Sequence, residues 1–250
     1  MINDGLNLQN EEIHSFLMIG QSNMCGRGEY GDVPPIKNKR CFMLRMGRWQ
    51  EMREPINTDR EIFEGEFHSG ISLAASFADF LANQTGKKIG LIPCADGGTR
   101  VSQWQPGEVL FDHAVMMTKL AKRSSQFSGI IWHQGESDCT KDENIAAYKD
   151  RLINIINGIR AELDAGDLPF ILGELAEYYD PKWKMGDRYK RVNEILYEIA
   201  AELPNVAVVS AKGLTMKPDG IHFDAMSLRV LGVRYYEAYM SMTENDVNDK

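Results

Sequence analysis

One serine and one histidine in this sequence lie in local contexts that suit acyl-transfer chemistry. Ser22 comes two residues after Gly20, which ends the apolar run at residues 16–19, and His222 closes a segment that begins at Asp219. A serine hydroxyl attacks an acyl carbon when a histidine takes its proton and a carboxylate fixes the tautomer of that histidine. A spacing of three residues with a glycine between them lets Asp219 fold back onto His222.

Each of these residues also has an ordinary structural interpretation. Serine is a favoured N-cap residue, so Ser22 alone fits the start of a helix after a buried strand. Asp219 and the glycine after it fit a simple turn, and His222 fits the start of a helix. Acyl transfer is therefore indicated only if distant segments of the chain meet.

Acyl transfer also needs hydrogen-bond donors for the oxyanion that develops in the transition state. The turn at Gly97 and Gly98 can expose a backbone N–H, because glycine has no Cβ to block close approach. Gln134 carries an amide at the end of an apolar segment, where a hydrogen bond that caps the loop is the alternative.

Apolar runs and helical periodicities alternate along the chain. They predict strands at residues 14–19, 88–93, 127–133, 169–174 and 206–210. They predict helices at residues 70–84, 109–123, 143–163, 186–203 and 225–240. We therefore expect an α/β protein, a three-layer α/β/α sandwich around a doubly wound, five-stranded parallel sheet. One domain is expected over residues 1–250, with a frayed tail at 243–250.

The loops after successive parallel strands gather at one edge of such a sheet, where open α/β sheets bind their ligands. Those loops carry Ser22, Gly98, Gln134 and the pair Asp219 and His222. Topology alone therefore predicts that polar residues from four distant segments meet at this edge.

A long irregular stretch follows the strand that leads to Ser22. Residues 26–66 are rich in glycine, proline and charge, and residues 41–44 and 49–52 flank a turn that predicts a small hairpin. A loop of this length in a compact domain is usually functional or disordered, so we expect it to form part of the rim of a site. Residues 1–12 are polar and predict a loose N-terminal segment.

Charge and cysteine content bound the classes of partner. The net charge is -8, there is no basic run, and no apolar stretch is long enough to span a bilayer. We therefore expect neither nucleic acid nor a membrane as partner. The four cysteines lack a metal-ligand spacing and predict free thiols in a reducing compartment, and we expect no metal or cofactor. The N-terminus lacks the pattern of a signal peptide, which predicts a cytoplasmic protein unless a signal was removed.

Four segments together resemble the sequence blocks of the SGNH hydrolase superfamily. They read Gly-Gln-Ser-Asn-Met at 20–24, Cys-Ala-Asp-Gly-Gly-Thr at 94–99, Trp-His-Gln-Gly-Glu-Ser-Asp at 132–138 and Asp-Gly-Ile-His at 219–222. More closely, they are similar to the sialate O-acetylesterase-like branch and to carbohydrate esterase family six, which includes acetylxylan esterases. The blocks have the right order and span nearly the whole chain. The first and third strings are specific, whereas the other two are weak alone.

The resemblance implies a flavodoxin-like SGNH hydrolase fold and a role for each site residue. It implies that Ser22 is the nucleophile, that His222 is its base and that Asp219 is the partner of that base. It also implies an oxyanion hole made by the N–H of Ser22, the N–H of Gly98 and the side chain of Gln134.

Two further positions bear on this resemblance. Glu136 recurs in this branch, where it assists the histidine or organises the loop. Relatives often show Gly-Pro-Glu ahead of the first long helix, whereas residues 67–70 read Phe-His-Ser-Gly, so the resemblance covers the chemistry and does not extend to the rim of the substrate site.

These motifs predict a serine esterase that removes O-acetyl groups from carbohydrates, such as acetylated xylo-oligosaccharides, through an acetyl-enzyme intermediate. The partner is then a small-molecule or oligosaccharide acetyl ester, and the sequence does not indicate an oligomeric state. A sialate O-acetylesterase or another small acyl-ester hydrolase is the alternative enzyme. A non-catalytic carbohydrate-binding protein is the alternative from another class. Trp49, Trp104 and Trp183 are candidates for stacking on sugar rings, with plain packing as an equal alternative.

Overall fold

A seven-stranded, mostly parallel sheet forms the centre of the protein. The computed structural model describes residues 12–58, 68–177 and 179–248. The strands are β1 (Ile13–Gly20), β2 (Cys41–Arg45), β3 (Arg48–Glu51), β4 (Lys88–Pro93), β5 (Gln126–His133), β6 (Phe170–Gly173) and β7 (Val206–Val209). Their order across the sheet is β3-β2-β4-β1-β5-β6-β7, and every described pairing except β2 with β3 is parallel. The predicted α/β class is confirmed.

The predicted hairpin belongs to this sheet, so the predicted count of five strands is wrong. β2 and β3 form the hairpin, and β2 also runs parallel to β4, with Met43 opposite Leu91. Residues 41–44 are buried, so the apolar side chains of β2 join the core. The hairpin thereby covers an edge of β4 that a five-stranded sheet would leave unpaired.

Helices cover both faces of the sheet. They are α1 (Ser22–Cys25), α2 (Leu73–Thr85), α3 (Val109–Ala121), α4 (Asp142–Ala146), α5 (Tyr148–Leu163), α6 (Arg188–Glu202) and α7 (Ala225–Asn248). Helix α2 packs against α7, and α5 packs against α3 and α6, which gives the two outer layers of the predicted sandwich.

No helix in the described ranges is both long enough and apolar enough to cross a membrane.

Two of the predicted helices differ most from the structure. The helix predicted at 143–163 is divided into α4 and α5 at Ala147, which lies between them with φ and ψ of -96° and -3°. The last helix continues to Asn248 and so includes part of the segment 243–250 that was predicted to fray.

The central strand β1 is buried along its apolar run. Residues 16–19 are at most 1% exposed, and the strand pairs with β4 on one side and with β5 on the other. Phe16 packs edge to face on Phe77 of α2 and on Tyr239 of α7, with ring centroids 5.0 Å apart in both pairs. This packing anchors the strand that leads to Ser22.

The C-terminal ends of β1, β4 and β5 lie side by side. The N–H of Asp96 donates to the carbonyl oxygen of Gly20 at 2.9 Å, and the N–H of Gln21 donates to that of His133 at 2.9 Å. Gly20 has a φ of 132°, and a Cβ there would lie 2.1 Å from the carbonyl oxygen of His133. Glycine is therefore required where the chain leaves β1, and the loops after three adjacent strands begin next to one another.

The described part of the long loop is tied to its surroundings. Glu54 accepts a hydrogen bond from the N–H of Ser72 at 2.9 Å and forms an ion pair with Arg229 of α7. Lys217, from the segment before His222, donates to the carbonyl oxygen of Arg27 at 2.8 Å. The start of the loop thus lies beside the segment of the predicted base. Residues 59–66 of this loop and the N-terminal residues 1–11 lie outside the described residues.

Candidate active site

Ser22 is the first residue of α1, immediately beyond the end of β1. Gln21 occupies the N-cap position and makes no side-chain cap hydrogen bond, so the interpretation of Ser22 as a helix cap is wrong. The hydroxyl instead faces a histidine, because Oγ of Ser22 lies 2.9 Å from Nε2 of His222. Ser22 is 5% exposed, so this contact is largely shielded from water.

Asp219 holds the other side of the His222 ring. Nδ1 of His222 lies 2.9 Å from Oδ2 of Asp219, so the ring bridges the serine and the carboxylate. The other carboxylate oxygen accepts the N–H groups of Ile221 and His222, both at 3.0 Å. A fixed, negative Asp219 favours the tautomer with its proton on Nδ1. The lone pair on Nε2 then faces the hydroxyl of Ser22, as a general base requires.

The loop after β6 supports this turn from outside. Gly220 has a φ of 66°, and a Cβ there would lie 2.3 Å from the Cβ of Asp180. The N–H of Asp180 donates to the carbonyl oxygen of Gly220 at 3.0 Å, and Nε1 of Trp183 donates to that of Asp219 at 2.8 Å. The glycine between the two polar residues thus permits both the turn and the close approach of the neighbouring loop.

Burial and charge set the protonation of the pair. Burial is the largest influence on His222 and lowers its pKa below the usual value, against the opposing effect of Asp219, while Arg27 and Lys217 add to the lowering. Burial acts to raise the pKa of Asp219, but the hydrogen bonds from His222 and Ile221 outweigh it and hold that pKa below its usual value. Near neutral pH the site therefore holds a neutral imidazole beside a carboxylate.

Two backbone N–H groups are available to a ligand at this edge of the sheet. No described residue accepts a hydrogen bond from the N–H of Ser22 or from that of Gly98. Gly98 is exposed, has a φ of 72° and lies in the loop after β4, the strand next to β1. Both groups were predicted from the sequence as oxyanion donors.

The environment of Gln134 differs from the prediction. Its side chain is fully buried, and Nε2 donates to Oδ2 of Asp138 at 2.6 Å, to the carbonyl oxygen of Thr99 at 2.9 Å and to Oε1 of Gln21 at 3.3 Å. Two amide protons thus already have three acceptors within the protein. Gln134 braces the loops after β1, β4 and β5, which is the loop-capping alternative. A role as third oxyanion donor is not supported by this arrangement.

Gln21 is a supporting residue that sequence reasoning missed. Besides Gln134, its Oε1 accepts the N–H of Gly135 at 3.4 Å and that of Ser137 at 3.3 Å. It therefore connects the turn of Ser22 to the loop after β5. A polar side chain at the buried end of an apolar strand was the signal that could have revealed it.

Glu136 is fully buried, and no hydrogen bond or ion pair joins it to His222 in the described structure. Its Oε1 accepts a hydrogen bond from Nδ2 of Asn23 at 2.6 Å, and its Oε2 has no partner among the described residues. Burial raises the pKa of Glu136 to about 7, although its own N–H and Asn23 act in the opposite direction. Of the two roles suggested by the resemblance, this position fits the one of organising the loop.

The three tryptophans considered for sugar stacking fall into two classes. Trp49 and Trp104 are buried, and Nε1 of Trp104 donates to Oγ1 of Thr99 at 3.0 Å. They are therefore packing residues. Trp183 is 38% exposed and is held beside the predicted site by its hydrogen bond to the carbonyl oxygen of Asp219.

The chemistry that this site can support follows from its groups. A hydroxyl 2.9 Å from a neutral imidazole can lose its proton as it attacks a carbonyl carbon. The imidazolium can return that proton to a leaving group, and N–H donors can stabilise an oxyanion. The residues that the structure describes include no group of three or more His, Cys, Asp and Glu side chains placed to hold a metal ion.

Known proteins resemble this chain along most of its length. A family model described as "Carbohydrate esterase, sialic acid-specific acetylesterase" matches residues 12–241. The chain is 30% identical over 245 residues to a probable carbohydrate esterase of Arabidopsis thaliana, and the match covers 90% of each sequence. The crystal structure of that Arabidopsis protein matches with a TM-score of 0.82 at 28% identity, covering 92% of this chain and 98% of that one.

Two more distant structures share the fold. NanS matches with a TM-score of 0.76 at 16% identity, covering 94% of this chain and 98% of its own. A carbohydrate acetylesterase from Xanthomonas citri matches with a TM-score of 0.67 at 21% identity, covering 93% of this chain and 57% of its own. The fold is therefore that of the SGNH hydrolases, as the four motifs predicted. The family match over residues 12–241 shows that this chain is an ester hydrolase and belongs to the carbohydrate esterase family of sialic acid-specific acetylesterases.

Proposed function

We propose that this protein is a serine esterase that removes O-acetyl groups from carbohydrates through an acetyl-enzyme intermediate. The observation that carries the proposal is the His222 ring, which lies 2.9 Å from Oγ of Ser22 and 2.9 Å from Oδ2 of Asp219. Membership of the carbohydrate esterase family supports both the ester bond and the sugar as its alcohol.

In the first half of the reaction, Oγ of Ser22 attacks the carbonyl carbon of the acetyl group while Nε2 of His222 accepts its proton. The N–H groups of Ser22 and Gly98 donate to the oxyanion, and the loss of one such donor typically costs ~3 kcal/mol of barrier stabilisation. The carboxylate of Asp219 stabilises the imidazolium. His222 then gives the proton to the sugar oxygen, the bond from that oxygen to the acetyl carbon breaks, and the acetyl group stays on Ser22.

In the second half, a water molecule replaces the sugar. Nε2 of His222 accepts a proton from the water as its oxygen attacks the acetyl carbon on Ser22. The bond to Oγ breaks, the proton returns to Oγ, and acetic acid leaves. One water is consumed for each sugar hydroxyl and acetate released, and both side chains return to their starting states.

Trp183 supports a sugar ring beside the catalytic turn. Its partly exposed ring is anchored at Asp219, and Nζ of Lys182 lies 5.9 Å from the ring centroid. Aromatic side chains of this kind combine an apolar face with a fixed polar edge, which suits the apolar face of a sugar. We propose that the sugar of the substrate stacks on this ring.

Two acetylated sugars are candidates for the substrate. The first is an acetylated xylo-oligosaccharide, which is neutral. The second is an O-acetyl sialic acid, which carries a carboxylate. The description of the matched family favours the second.

A panel of acetyl esters tests the proposal. Acetate release is measured from acetylated xylo-oligosaccharides, from O-acetyl sialic acid and from an aryl acetate, with wild-type protein and with Ser22→Ala. We expect release from at least one acetylated sugar and its loss in Ser22→Ala. The ratio of kcat/KM between the two sugars decides between the candidates. Binding of the sugars without hydrolysis of any ester would contradict the proposal.

Substitution of Trp183 tests the assignment of the sugar. Trp183→Leu removes the ring, and we expect KM for the preferred acetylated sugar to rise ~10-fold, with kcat/KM for an aryl acetate within ~3-fold of wild type. Trp183→Phe keeps an aromatic face without the indole N–H, so its KM should lie between those of wild type and Trp183→Leu. Phe80→Leu is a matched control, because Phe80 is 46% exposed and lies on α2. Equal losses on both substrates in Trp183→Leu would show that the residue acts through Asp219 instead.

A further inference from the structure

The side chain next to the nucleophile contacts the backbone on both sides of the histidine. Asn23 is fully buried and follows Ser22 in α1. Its Oδ1 accepts the N–H of Phe223 at 3.1 Å, and its Nδ2 donates to the carbonyl oxygen of Ile221 at 3.4 Å. These two peptide groups flank His222. A single side chain therefore spans the loop that carries the hydroxyl and the loop that carries the base.

The amide of Asn23 can adopt two orientations that exchange its oxygen and its nitrogen. Glu136 distinguishes them, because its Oε1 lies 2.6 Å from Nδ2 of Asn23 and accepts a hydrogen bond from it. With the nitrogen directed at Glu136, the oxygen of Asn23 faces the N–H of Phe223. The opposite orientation would place an N–H against that N–H and an oxygen against a carboxylate oxygen.

Among the described residues, no other side chain donates a hydrogen bond to Oε1 of Glu136. Nε2 of the buried His133 lies 3.7 Å away. Tyr235 donates its hydroxyl proton to the carbonyl oxygen of Trp132 at 2.6 Å, so its oxygen, 3.3 Å from Nδ1 of His133, accepts. This network places the proton of His133 on Nδ1 and leaves a lone pair on Nε2. Burial also lowers the pKa of His133 to about 3, so the ring is neutral. Oε1 of Glu136 therefore serves Asn23.

We propose that Asn23 is a positioning residue for the pair of Ser22 and His222, and that Glu136 acts through Asn23 by fixing the orientation of its amide. This inference rests on the proposed function of Ser22 and His222. Neither Asn23 nor Glu136 touches the reacting atoms. Their loss displaces the base from the hydroxyl, and so lowers kcat without weakening the binding of substrate.

The test measures kcat and KM for an aryl acetate, together with the rate at which a fluorophosphonate labels Ser22. We expect Asn23→Ala and Glu136→Leu each to lower kcat and the labelling rate by ~30-fold or more, with KM within ~3-fold. Glu136→Gln can still present an acceptor oxygen to Asn23, so it should retain kcat within ~3-fold of wild type. The double variant Asn23→Ala with Glu136→Leu should have a kcat within ~3-fold of that of the slower single variant, because Glu136 acts through Asn23.

Glu54→Gln is the matched control for a buried carboxylate whose role is structural. Glu54 joins the long loop to Ser72 and Arg229, so its loss should lower the unfolding temperature and leave kcat within ~3-fold. If Asn23→Ala does not fold, the comparison of Glu136→Leu with Glu136→Gln still decides.

Three outcomes would overturn the inference while Ser22→Ala remains inactive. They are an unchanged kcat in folded Asn23→Ala or Glu136→Leu, an equal loss of kcat in Glu136→Gln and Glu136→Leu, and losses that multiply in the double variant. A Ser22→Ala protein that still released acetate would instead contradict the proposed function itself, so the two failures are distinguishable.

Discussion

Two carboxylates support the loop of His222, and they do so in different ways. Asp219 is partly exposed, and its oxygens accept hydrogen bonds from the N–H of Ile221, from the N–H of His222 and from the His222 ring. Its pKa lies below the usual value. Glu136 is fully buried, accepts its side-chain hydrogen bond from Asn23, and has its pKa raised to about 7 by burial.

The difference shows how donors and water decide what a carboxylate can do. Several donors and contact with solvent keep Asp219 negative, so it can stabilise a positive imidazolium. Among the described residues, Asn23 is the one side-chain donor to Glu136, and this buried carboxyl group is only partly ionised near neutral pH. It serves geometry better than charge, which is why we assign orientation of the base to Glu136 and electrostatic support to Asp219.

Removal of the charge of Asp219 is the strongest way to break this comparison. We expect Asp219→Asn to lower kcat by ~10³- to 10⁴-fold, because the amide favours the wrong tautomer of His222 and does not stabilise its charged form. Steady-state kinetics with an aryl acetate measure the effect. Glu136→Gln is the paired control and should retain kcat within ~3-fold. Similar losses in the two variants would mean that both carboxylates supply charge.

The pH dependence of activity sharpens the comparison. The base must be neutral, so kcat/KM is lost as the pH falls through the pKa of His222, which burial holds below the usual value of 6.5. We expect the acid limb of kcat/KM against pH to lie below pH 6.5. Asp219 raises the pKa of His222, so in Asp219→Asn the limb should move to still lower pH, whereas Glu136→Gln should leave it in place. A limb above pH 6.5 in the wild type would contradict this description of the site.

The pH dependence of stability should have opposite signs at the two carboxylates. The pKa of Glu136 is raised from 4.5 to about 7 in the folded state. Its contribution to the free energy of unfolding is therefore fully present below pH 4.5 and is lost as the pH rises through about 7. The free energy of unfolding of Glu136→Gln, relative to that of wild type, should rise by up to about 3 kcal/mol between pH 4.5 and pH 8. Urea unfolding at several pH values measures the difference.

Asp219 provides the matched case with the lowered pKa. Its contribution to stability is present above its unfolded-state pKa of 3.8 and is lost as the pH falls through the lower, folded-state value. Asp219→Asn should therefore be destabilised relative to wild type near neutral pH, with a difference that shrinks in acid. If both variants changed with pH in the same direction, the two carboxylates would not differ as described.

The part of the site that sequence could predict is the part set by local spacing and by topology. Asp219 and His222 share one short turn, so their contact follows from three residues of chain. Ser22 reaches them because the ends of parallel strands meet at one edge of the sheet. The same reasoning located the strands and the Gly98 turn.

Contacts between distant buried polar groups could not be predicted in this way. Asn23 and Ile221 are 198 residues apart, and their hydrogen bond depends on the final positions of two loops. The side-chain amide of Gln134 donates to Asp138 and to the carbonyl oxygen of Thr99, and the sequence does not show which of several competing acceptors will take its two protons. The pairing of β2 with β4 was missed for a related reason, since a hairpin pattern does not show which edge it will cover.

Detection of the acetyl-enzyme tests the central claim most directly. Wild-type protein is mixed with excess aryl acetate, denatured in acid within its first turnovers and digested, and the peptides are analysed by mass spectrometry. We predict an acetyl group on Ser22, with no such adduct and no acetate release above background in Ser22→Ala. Acetylation of a different residue as the turnover species, or acetate release from Ser22→Ala at the wild-type rate, would contradict the assignment of Ser22 as the nucleophile.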